Sequence, residues 1–232
     1  ASPSRFIRRP GGSGGVYTAL RASGALADMR ARGIKYMFLS GCDNLLLRIG
    51  DPTFIGHCLS LSSNESDTKK AKPISICLKT VERTGRNERL GIFVTRRPAK
   101  KARDIGNEDE TISGGRPQVL ECYEVPEPLR GRTGKDLVHY EFGAGDICQY
   151  MIRLDEEFEH SLVSGPGWHA IPVRTPAFSI KRARIMTPPP DLRNAVRLEQ
   201  VASGYVDRQA RAVCLHVDRN AEYAPIRAER DL

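Results

Sequence analysis

Three short segments of this 232-residue chain carry residue types that bind phosphate and sugar groups. The first is the run PGGSGG at residues 10–15, which lies directly before a helical pattern. Exposed backbone amides next to a helix N-terminus favour anionic ligands. The run matches neither G-x-G-x-x-G nor a Walker loop, so a flexible linker is the other interpretation that the residues allow.

The second segment is Asp43-Asn44, which follows an apolar run of strand length at residues 34–39. Ligands of α/β sheets bind beyond the carboxyl ends of the strands, where Asp43 would then lie. A carboxylate in that place can share Mg²⁺ with the phosphates of a nucleotide. Asp-Asn is also ordinary turn chemistry, so a plain turn is the alternative.

The third segment is a predicted strand at residues 119–125, where side-chain alternation puts Glu121 on an otherwise apolar face. A carboxylate on such a face needs a partner, and a sugar hydroxyl or an arginine would serve. Asp146 ends a GAGD run that by itself indicates only a turn. The five histidines show no metal-ligand spacing, and we assign them no chemistry.

The elements that would position these residues follow a loop, helix and strand order, which predicts an α/β fold. Apolar periodicity predicts a helix at residues 16–29, and Asp51-Pro52 predicts the start of a second one. Strands are predicted at residues 34–39, 74–81, 91–94, 119–125, 147–154 and 210–217. Residues 96–117 have the composition of an insertion or mobile loop, and residues 166–190 that of an irregular segment.

The composition limits the class of protein. A hydrophobic share of 40% permits a packed core, and no apolar run reaches the ~18 residues that span a bilayer. The net charge of +8 suits a binder of small polyanions or of nucleic acid, but 6% aromatic residues make a poor stacking platform. Six cysteines without a C-x-x-C pair predict reduced, buried thiols of a cytoplasmic protein rather than a zinc site.

Each motif is weak alone, but their order along the chain resembles one family. The segments are PGGSGGVY at 10–17, CDN at 42–44, DPTFIGHC at 51–58, LECYE at 120–124, GDIC at 145–148, NAVRLE at 194–199 and EYAPIR at 222–227. In this order they resemble the eukaryotic UDP-N-acetylglucosamine pyrophosphorylases, within the wider group of UDP-sugar pyrophosphorylases. The resemblance runs from residue 10 to the end of the chain, with residues 96–117 and 155–190 poorly matched.

The resemblance implies an α/β nucleotidyltransferase fold, which is Rossmann-like, with a mixed central sheet flanked by helices and incomplete at its N-terminus. Residues 1–9 would form a basic tail. Residues 10–232 would form a partial catalytic domain with an insertion at 96–117. We expect the family's N-terminal half, with its glycine-rich phosphate loop and activating arginine, to be missing from this chain.

The resemblance also implies a reaction and its residues. UTP and N-acetylglucosamine 1-phosphate would give UDP-N-acetylglucosamine and pyrophosphate, with Mg²⁺ as cofactor. In this reaction Gly12 and Ser13 would contact the uridine and the sugar, and Asp43 would bind the metal and a phosphate. Gly91 and Glu121 would bind the amino sugar, with Asp146 near its acetamido group. Arg197 and Arg227 would bind phosphate.

Four positions depart from the family pattern. Ser13 and Asp146 stand where the family has Asn, and Arg197 and Arg227 stand where it has Lys, which changes size and geometry. These departures favour an alternative, a non-catalytic module that binds a UDP-sugar. A basic nucleic-acid-binding domain ranks third, and no membrane partner is expected. We expect the chain alone to have little or no pyrophosphorylase activity.

Overall fold

The computed structural model describes residues 11–63, 74–96, 116–134, 139–209 and 211–226. In these ranges the helices are α1 Gly15–Ala22, α2 Ala25–Ala31, α3 Pro52–Ser63, α4 Glu127–Arg130, α5 Glu156–Ser164 and α6 Arg219–Glu222, with a 3-10 helix at Ala202–Arg208. The strands are β1 Tyr36–Ser40, β2 Ile76–Glu82, β3 Gly91–Arg96, β4 Arg116–Leu120, β5 Ala144–Arg153, β6 Trp168–Val173, β7 Ala177–Ser179, β8 Arg184–Met186, β9 Ala195–Gln200 and β10 Ala212–His216.

Six strands form a central mixed sheet in the order β10-β2-β5-β3-β4, and β1 also pairs with β5. Strand β5 is the longest, and one of its edges pairs with β2. Its other edge is shared, because β1 pairs with residues 149–153 and β3 with residues 145–146. The β10–β2 pair is parallel and the others are antiparallel, so the predicted α/β fold with a mixed sheet is confirmed.

The larger hydrophobic core lies between the sheet and the helices α1, α2 and α5. Its centre is an aromatic group in which the rings of Phe158 and Tyr205 pack edge to face with centroids 5.2 Å apart. Tyr17 joins them with its ring centroid 5.3 Å from that of Tyr205. Aromatic pairs in this geometry add stability beyond their buried area. This core fixes α1, and with it the glycine run that precedes the helix.

The helix predicted at residues 16–29 is two helices. The chain turns between them at Gly24, whose φ of +78° is a left-handed conformation that glycine adopts without strain. The second predicted helix is confirmed, since the Asp51 carboxylate accepts a hydrogen bond from the Thr53 amide at 3.0 Å and the helix follows. None of the described helices is long and apolar enough to cross a bilayer.

Two sequence-based predictions were wrong. The strand predicted at residues 119–125 ends at Leu120, because a turn follows in which the Glu124 amide donates to the Glu121 carbonyl at 2.8 Å. The segment predicted to be irregular, residues 166–190, contains β6, β7 and β8, and β6 pairs along its whole length with β9. These strands form two separate antiparallel pairs outside the central sheet.

Two further expectations fall partly or wholly outside the described residues. Residues 1–9 lie outside them, as do residues 97–115 of the expected insertion, while its flanking positions belong to β3 and β4. All six cysteines are free thiols, but not all are buried as expected: Cys58 and Cys77 are buried and Cys42 is exposed.

Candidate functional site

The glycine run is docked on the end of strand β9. The Gly14 amide donates to the Gln200 carbonyl at 2.9 Å, and the Gln200 amide donates to the Gly11 carbonyl at 2.8 Å. Gly12 has a φ of +101°, and a Cβ atom added there would lie 2.1 Å from the Gln200 carbonyl oxygen. The run is therefore a closely packed loop rather than a flexible linker, and position 12 requires glycine.

Replacing Gly12 with Ala is expected to destabilise the protein by about 1–3 kcal/mol, because both the left-handed backbone and the close carbonyl exclude a side chain. The matched control is Gly15→Ala at the start of α1, where an added Cβ atom meets nothing within 4 Å. That change should be neutral or slightly stabilising. Urea unfolding of both variants checks the prediction, which fails if the two behave alike.

Ser13 and Glu121 meet at the first residues of the 3-10 helix. The Ser13 hydroxyl accepts a hydrogen bond from the Ala202 amide at 3.0 Å. The next residue, Ser203, donates its hydroxyl to the Glu121 carboxylate at 2.7 Å. Tyr17 from α1 donates to the Ala202 carbonyl at 2.8 Å. Residues far apart in the chain thus bring the glycine loop beside the Glu121 turn.

Asp146 lies on β5 directly opposite Gly91 on β3. Its side chain accepts hydrogen bonds from the Tyr150 hydroxyl at 2.5 Å and from the Cys148 amide at 3.0 Å. Only 8% of Asp146 is exposed, and burial raises the pKa of its carboxyl to about 7, with a further rise from the charge of Glu121. Burial therefore favours the protonated carboxyl well above its ordinary titration range.

Gly91 leaves no room for a side chain beside Asp146. A Cβ atom at position 91 would lie 2.8 Å from Cγ1 of Val119 and 3.8 Å from Cβ of Asp146. The glycine therefore keeps β3 close to β4 and β5 at the point where Asp146 lies. Gly91, Asp146 and Glu121 form one neighbourhood, since they are joined by strand pairing and by the electrostatic interaction of the two carboxyls.

The backbone of Cys148 connects Asp146 to the Asp43 loop. Cys148 has a φ of +56°, a conformation that costs a non-glycine residue energy and that is frequent at functional sites. Its carbonyl accepts a hydrogen bond from the Gly41 amide at 2.8 Å. Burial, and then the nearby Asp146, raises the pKa of the Cys148 thiol to about 12, so the thiol stays neutral.

The Asp43 loop is held by the last described segment of the chain. The Ile226 amide donates to the Asp43 carbonyl at 2.8 Å. The Asn44 side chain donates to the Glu222 carbonyl at 2.8 Å and accepts from the Ala224 amide at 2.9 Å. The Asp43 carboxylate lies along Gly41, where a Cβ atom would be 2.9 Å from its Oδ1. The loop therefore has one fixed conformation.

The structure describes only one of the two arginines that were predicted to bind phosphate. Arg197 lies on β9 opposite Ile171, and its guanidinium forms an ion pair with Glu199 at 2.7 Å. It is three residues before Gln200, which carries the glycine loop, but the contacts described for it do not reach Asp43 or Asp146. Arg227 lies outside the described residues.

Sequence reasoning missed several residues of this neighbourhood. Ser203, Tyr150 and Cys148 each contact a predicted site residue, and nothing in the local pattern marks them. His169, to which we assigned no chemistry, bonds the Glu124 carboxylate at 2.6 Å, and this bond raises the pKa of the imidazole. His169 thereby ties β6 to the turn that carries Glu121. One signal was available in the sequence. Lys79 is a lone cation inside the apolar run of β2, and such a residue indicates buried carboxylate partners.

The described residues contain no cluster of three or more His, Cys, Asp or Glu side chains that could hold a metal ion by themselves. Asp43 supplies a single half-buried carboxylate at the sheet edge. One carboxylate suits Mg²⁺, which keeps most of its ligands from water and substrate phosphates. It does not suit zinc, which takes three or four protein ligands.

Comparison with known proteins gives a consistent result. The model of the UTP–glucose-1-phosphate uridylyltransferase family matches residues 5–107. The UDP-N-acetylglucosamine diphosphorylase 2 of Arabidopsis thaliana is 30% identical over 154 residues, which cover 66% of this chain and 26% of that protein. The UDP-N-acetylglucosamine pyrophosphorylase of Saccharomyces cerevisiae is 24% identical over 229 residues, which cover 97% of this chain and 42% of that protein.

A solved structure has the same fold. The uridine diphosphate N-acetylglucosamine pyrophosphorylase of Trypanosoma brucei, crystallised with an inhibitor, superposes with a TM-score of 0.63 at 22% identity. The match covers 96% of this chain and 39% of that one. The chain thus spans less than half the length of these relatives.

These matches are to enzymes of the UDP-sugar pyrophosphorylase class, whose fold the chain shares. Among them, the chain is similar to eukaryotic UDP-N-acetylglucosamine pyrophosphorylases, the family that the order of its motifs resembles.

Proposed function

We propose that this chain forms part of a uridylyltransferase that makes UDP-N-acetylglucosamine and pyrophosphate from UTP and N-acetylglucosamine 1-phosphate. The observation that carries the proposal is the convergence around the middle of the sheet. Ser13 and Glu121 bond neighbouring residues of the 3-10 helix, and Asp146 and Asp43 both act on Cys148. These groups come from segments that are far apart in the chain. We propose that a nucleotide-sugar spans them.

The reaction proposed is an in-line displacement. A phosphate oxygen of the sugar 1-phosphate attacks the α-phosphorus of UTP, and pyrophosphate leaves without a protein nucleophile. Catalysis then consists of positioning and charge stabilisation. The glycine loop would orient the uridine, and the Glu121 carboxylate would accept hydrogen bonds from sugar hydroxyls. Its present donor, the Ser203 hydroxyl, is of the same chemical type.

The charges of the phosphates need cationic partners. Asp43 would hold Mg²⁺ together with the nucleotide phosphates, and the bound ion would neutralise charge on the α-phosphate. We propose Arg197 and Arg227 as further phosphate ligands. For Arg197 this requires exchanging its ion pair with Glu199 for a phosphate, and its side chain, 44% exposed, is free to make that exchange. We further propose that the protein acts in the cytoplasm, in keeping with its free thiols.

The first test measures binding of UDP-N-acetylglucosamine to the purified chain by isothermal titration calorimetry. Glu121→Gln is expected to weaken binding by about tenfold or more, because a charged acceptor is lost from a sugar hydroxyl. The matched control is Glu127→Gln on α4, an exposed glutamate that pairs with arginines. Equal affinities of the two variants would argue against a sugar contact at Glu121.

The second test measures turnover with UTP, N-acetylglucosamine 1-phosphate and Mg²⁺. The chain alone is expected to be slower than a full-length relative by about 10²-fold or more, because it covers less than half of the relatives it matches and loss of even one charge-stabilising group costs that much. Adding the N-terminal half of a relative should restore turnover. The second candidate function, a binding module that holds a UDP-sugar without making it, is favoured by Asp146, and it predicts binding without any restored turnover.

A further inference from the structure

A second concave region lies beside the loop that leads into β3 and the turn that follows β4. It is a cleft of about 520 Å³, here named the arginine cleft. Five arginines line it, namely Arg83, Arg86, Arg89, Arg130 and Arg193. The other lining residues include one carboxylate, Glu88, and two side chains of the Glu121 turn, Cys122 and Tyr123.

The positive charge of the arginine cleft is only partly compensated. Glu88 is engaged elsewhere, because its carboxylate pairs with Arg219 at 2.5 Å and accepts from the Thr84 amide at 3.0 Å. Glu127 approaches from outside the cleft and pairs with Arg86 at 2.6 Å and with Arg130 at 3.2 Å. With five arginines and one carboxylate in its lining, the cleft carries an excess of cationic side chains, which attracts anions.

Part of the cationic lining is rigid. Arg83 is 3% exposed, and its guanidinium donates to four backbone carbonyls, those of Phe142, Gly85, Arg86 and Arg130. Arg130 is likewise fixed by the carbonyls of Val125 and Tyr123. A charge held in place by the fold loses little conformational freedom when a ligand binds.

Two donors of this lining have no partner among the described residues. They are Nε of Arg83 and the hydroxyl of Tyr123, both buried. Buried donors are nearly always hydrogen-bonded in native proteins, so the wall of the cleft is incompletely satisfied at these two atoms, which are themselves shielded from solvent. Phosphate groups supply acceptor oxygens and match the fork of arginine donors.

We propose that the arginine cleft binds a compact phosphate anion, for which inorganic pyrophosphate is the probe. The cleft is a concave space between loops rather than an extended groove, which suits a small polyanion and not a nucleic-acid strand. The proposal does not depend on the proposed enzymatic function, because it concerns binding of pyrophosphate by this chain in the absence of UTP and sugar.

The experiment titrates pyrophosphate into the chain by calorimetry, with sulfate at the same ionic strength as a comparison. The double variant Arg89→Gln/Arg193→Gln is expected to weaken pyrophosphate binding by about tenfold or more, because two of the five lining cations are lost. The matched control is Arg32→Gln/Arg182→Gln, which removes the same charge from exposed positions elsewhere. Thermal unfolding of both verifies that they are folded.

A second readout locates the ligand. Cys122 lines the arginine cleft and Cys42 is an exposed thiol outside its lining, next to Asp43. Pyrophosphate is expected to slow alkylation of Cys122 by iodoacetamide and to leave that of Cys42 unchanged. The proposal is overturned if pyrophosphate does not bind saturably, if the cleft variant and the control bind it equally, or if Cys42 is protected and Cys122 is not.

Discussion

Replacing Asp146 with Asn is expected to stabilise the protein above pH 7 and to leave its stability near pH 4 almost unchanged. The folded carboxyl has a pKa of about 7, against an ordinary value of 3.8. Between these values the unfolded chain releases its proton and the folded chain keeps it, so the stability of the native protein falls as pH rises. A difference of about three pKa units corresponds to a loss of up to about 4 kcal/mol in the free energy of unfolding of the native protein at pH 8.

The amide suits the position because it can accept from the Cys148 amide and donate to the Tyr150 hydroxyl, replacing the two present hydrogen bonds. Urea unfolding between pH 4.5 and 8.5 measures the effect. The matched control is Asp28→Asn, at an exposed aspartate paired with Arg32, whose profile should follow that of the native protein. Parallel profiles of native protein and Asp146 variant would contradict the assignment.

The protonation state of Asp146 also matters for the proposed function. The family resemblance implies Asn at position 146, where this chain carries a buried carboxyl instead of a neutral amide. When that carboxyl ionises, its charge adds to that of Glu121. A protonated Asp146 can donate one hydrogen bond to a ligand, as the amide does, whereas the ionised form repels a phosphate.

Most strands of the central sheet could be predicted because each one is a mostly buried segment of ordinary strand length. Residues 76–81 of β2 are buried on both faces, and such strands read as continuous apolar runs. The order of the strands could not be predicted in the same way. Strand β10 pairs with β2 from more than a hundred residues away, and β5 divides one edge between β1 and β3. Periodicity carries no information about such pairings.

The strand predicted around Glu121 was wrong for a local reason, while its predicted role as a sugar contact stays a prediction. Alternation predicted a strand, but the Glu124 carboxylate accepts from the Glu121 amide at 2.9 Å and closes a turn instead. One partner of Glu121 is Ser203, which lies 82 positions away. The small strands were missed because β6 contains a proline and β9 is mostly exposed, so neither shows a buried face.

The site residues come from short segments that share β5 or contact it. Asp146 and Cys148 belong to β5, Gly91 pairs with it, and Gly41 bonds its backbone next to Asp43. These segments therefore meet on one strand, whereas the glycine loop and Glu121 are joined through β9 and the 3-10 helix. The last segment of the chain contributes too, since it fixes Asn44, and its attachment depends on a buried ion cluster.

Replacing Lys79 with Met is expected to destabilise the protein by about 3–5 kcal/mol, the largest effect of any substitution proposed for this chain. The Lys79 side chain is fully buried, and its ammonium group lies 2.5 Å from both Asp51 and Glu222. Removing the cation takes away the ammonium group that Asp51 and Glu222 share and leaves Glu222 with the more distant, exposed Arg48 at 3.9 Å. Chemical unfolding measures the loss, and the exposed pair Arg86–Glu127 gives the control, since Arg86→Met should change stability by less than about 1 kcal/mol.

The triple variant Lys79→Met/Asp51→Asn/Glu222→Gln separates charge from packing. It keeps the acceptor that bonds the Thr53 amide and removes all three charges, so most of the lost stability should return. The single variant should also loosen the Asp43 loop, because Glu222 belongs to the segment that holds Asn44. Hydrogen exchange at the Leu45 and Ile226 amides, which bond across that contact, measures this second effect. Unchanged protection of both amides in a destabilised single variant would show that the ion cluster stabilises the fold without fixing the loop.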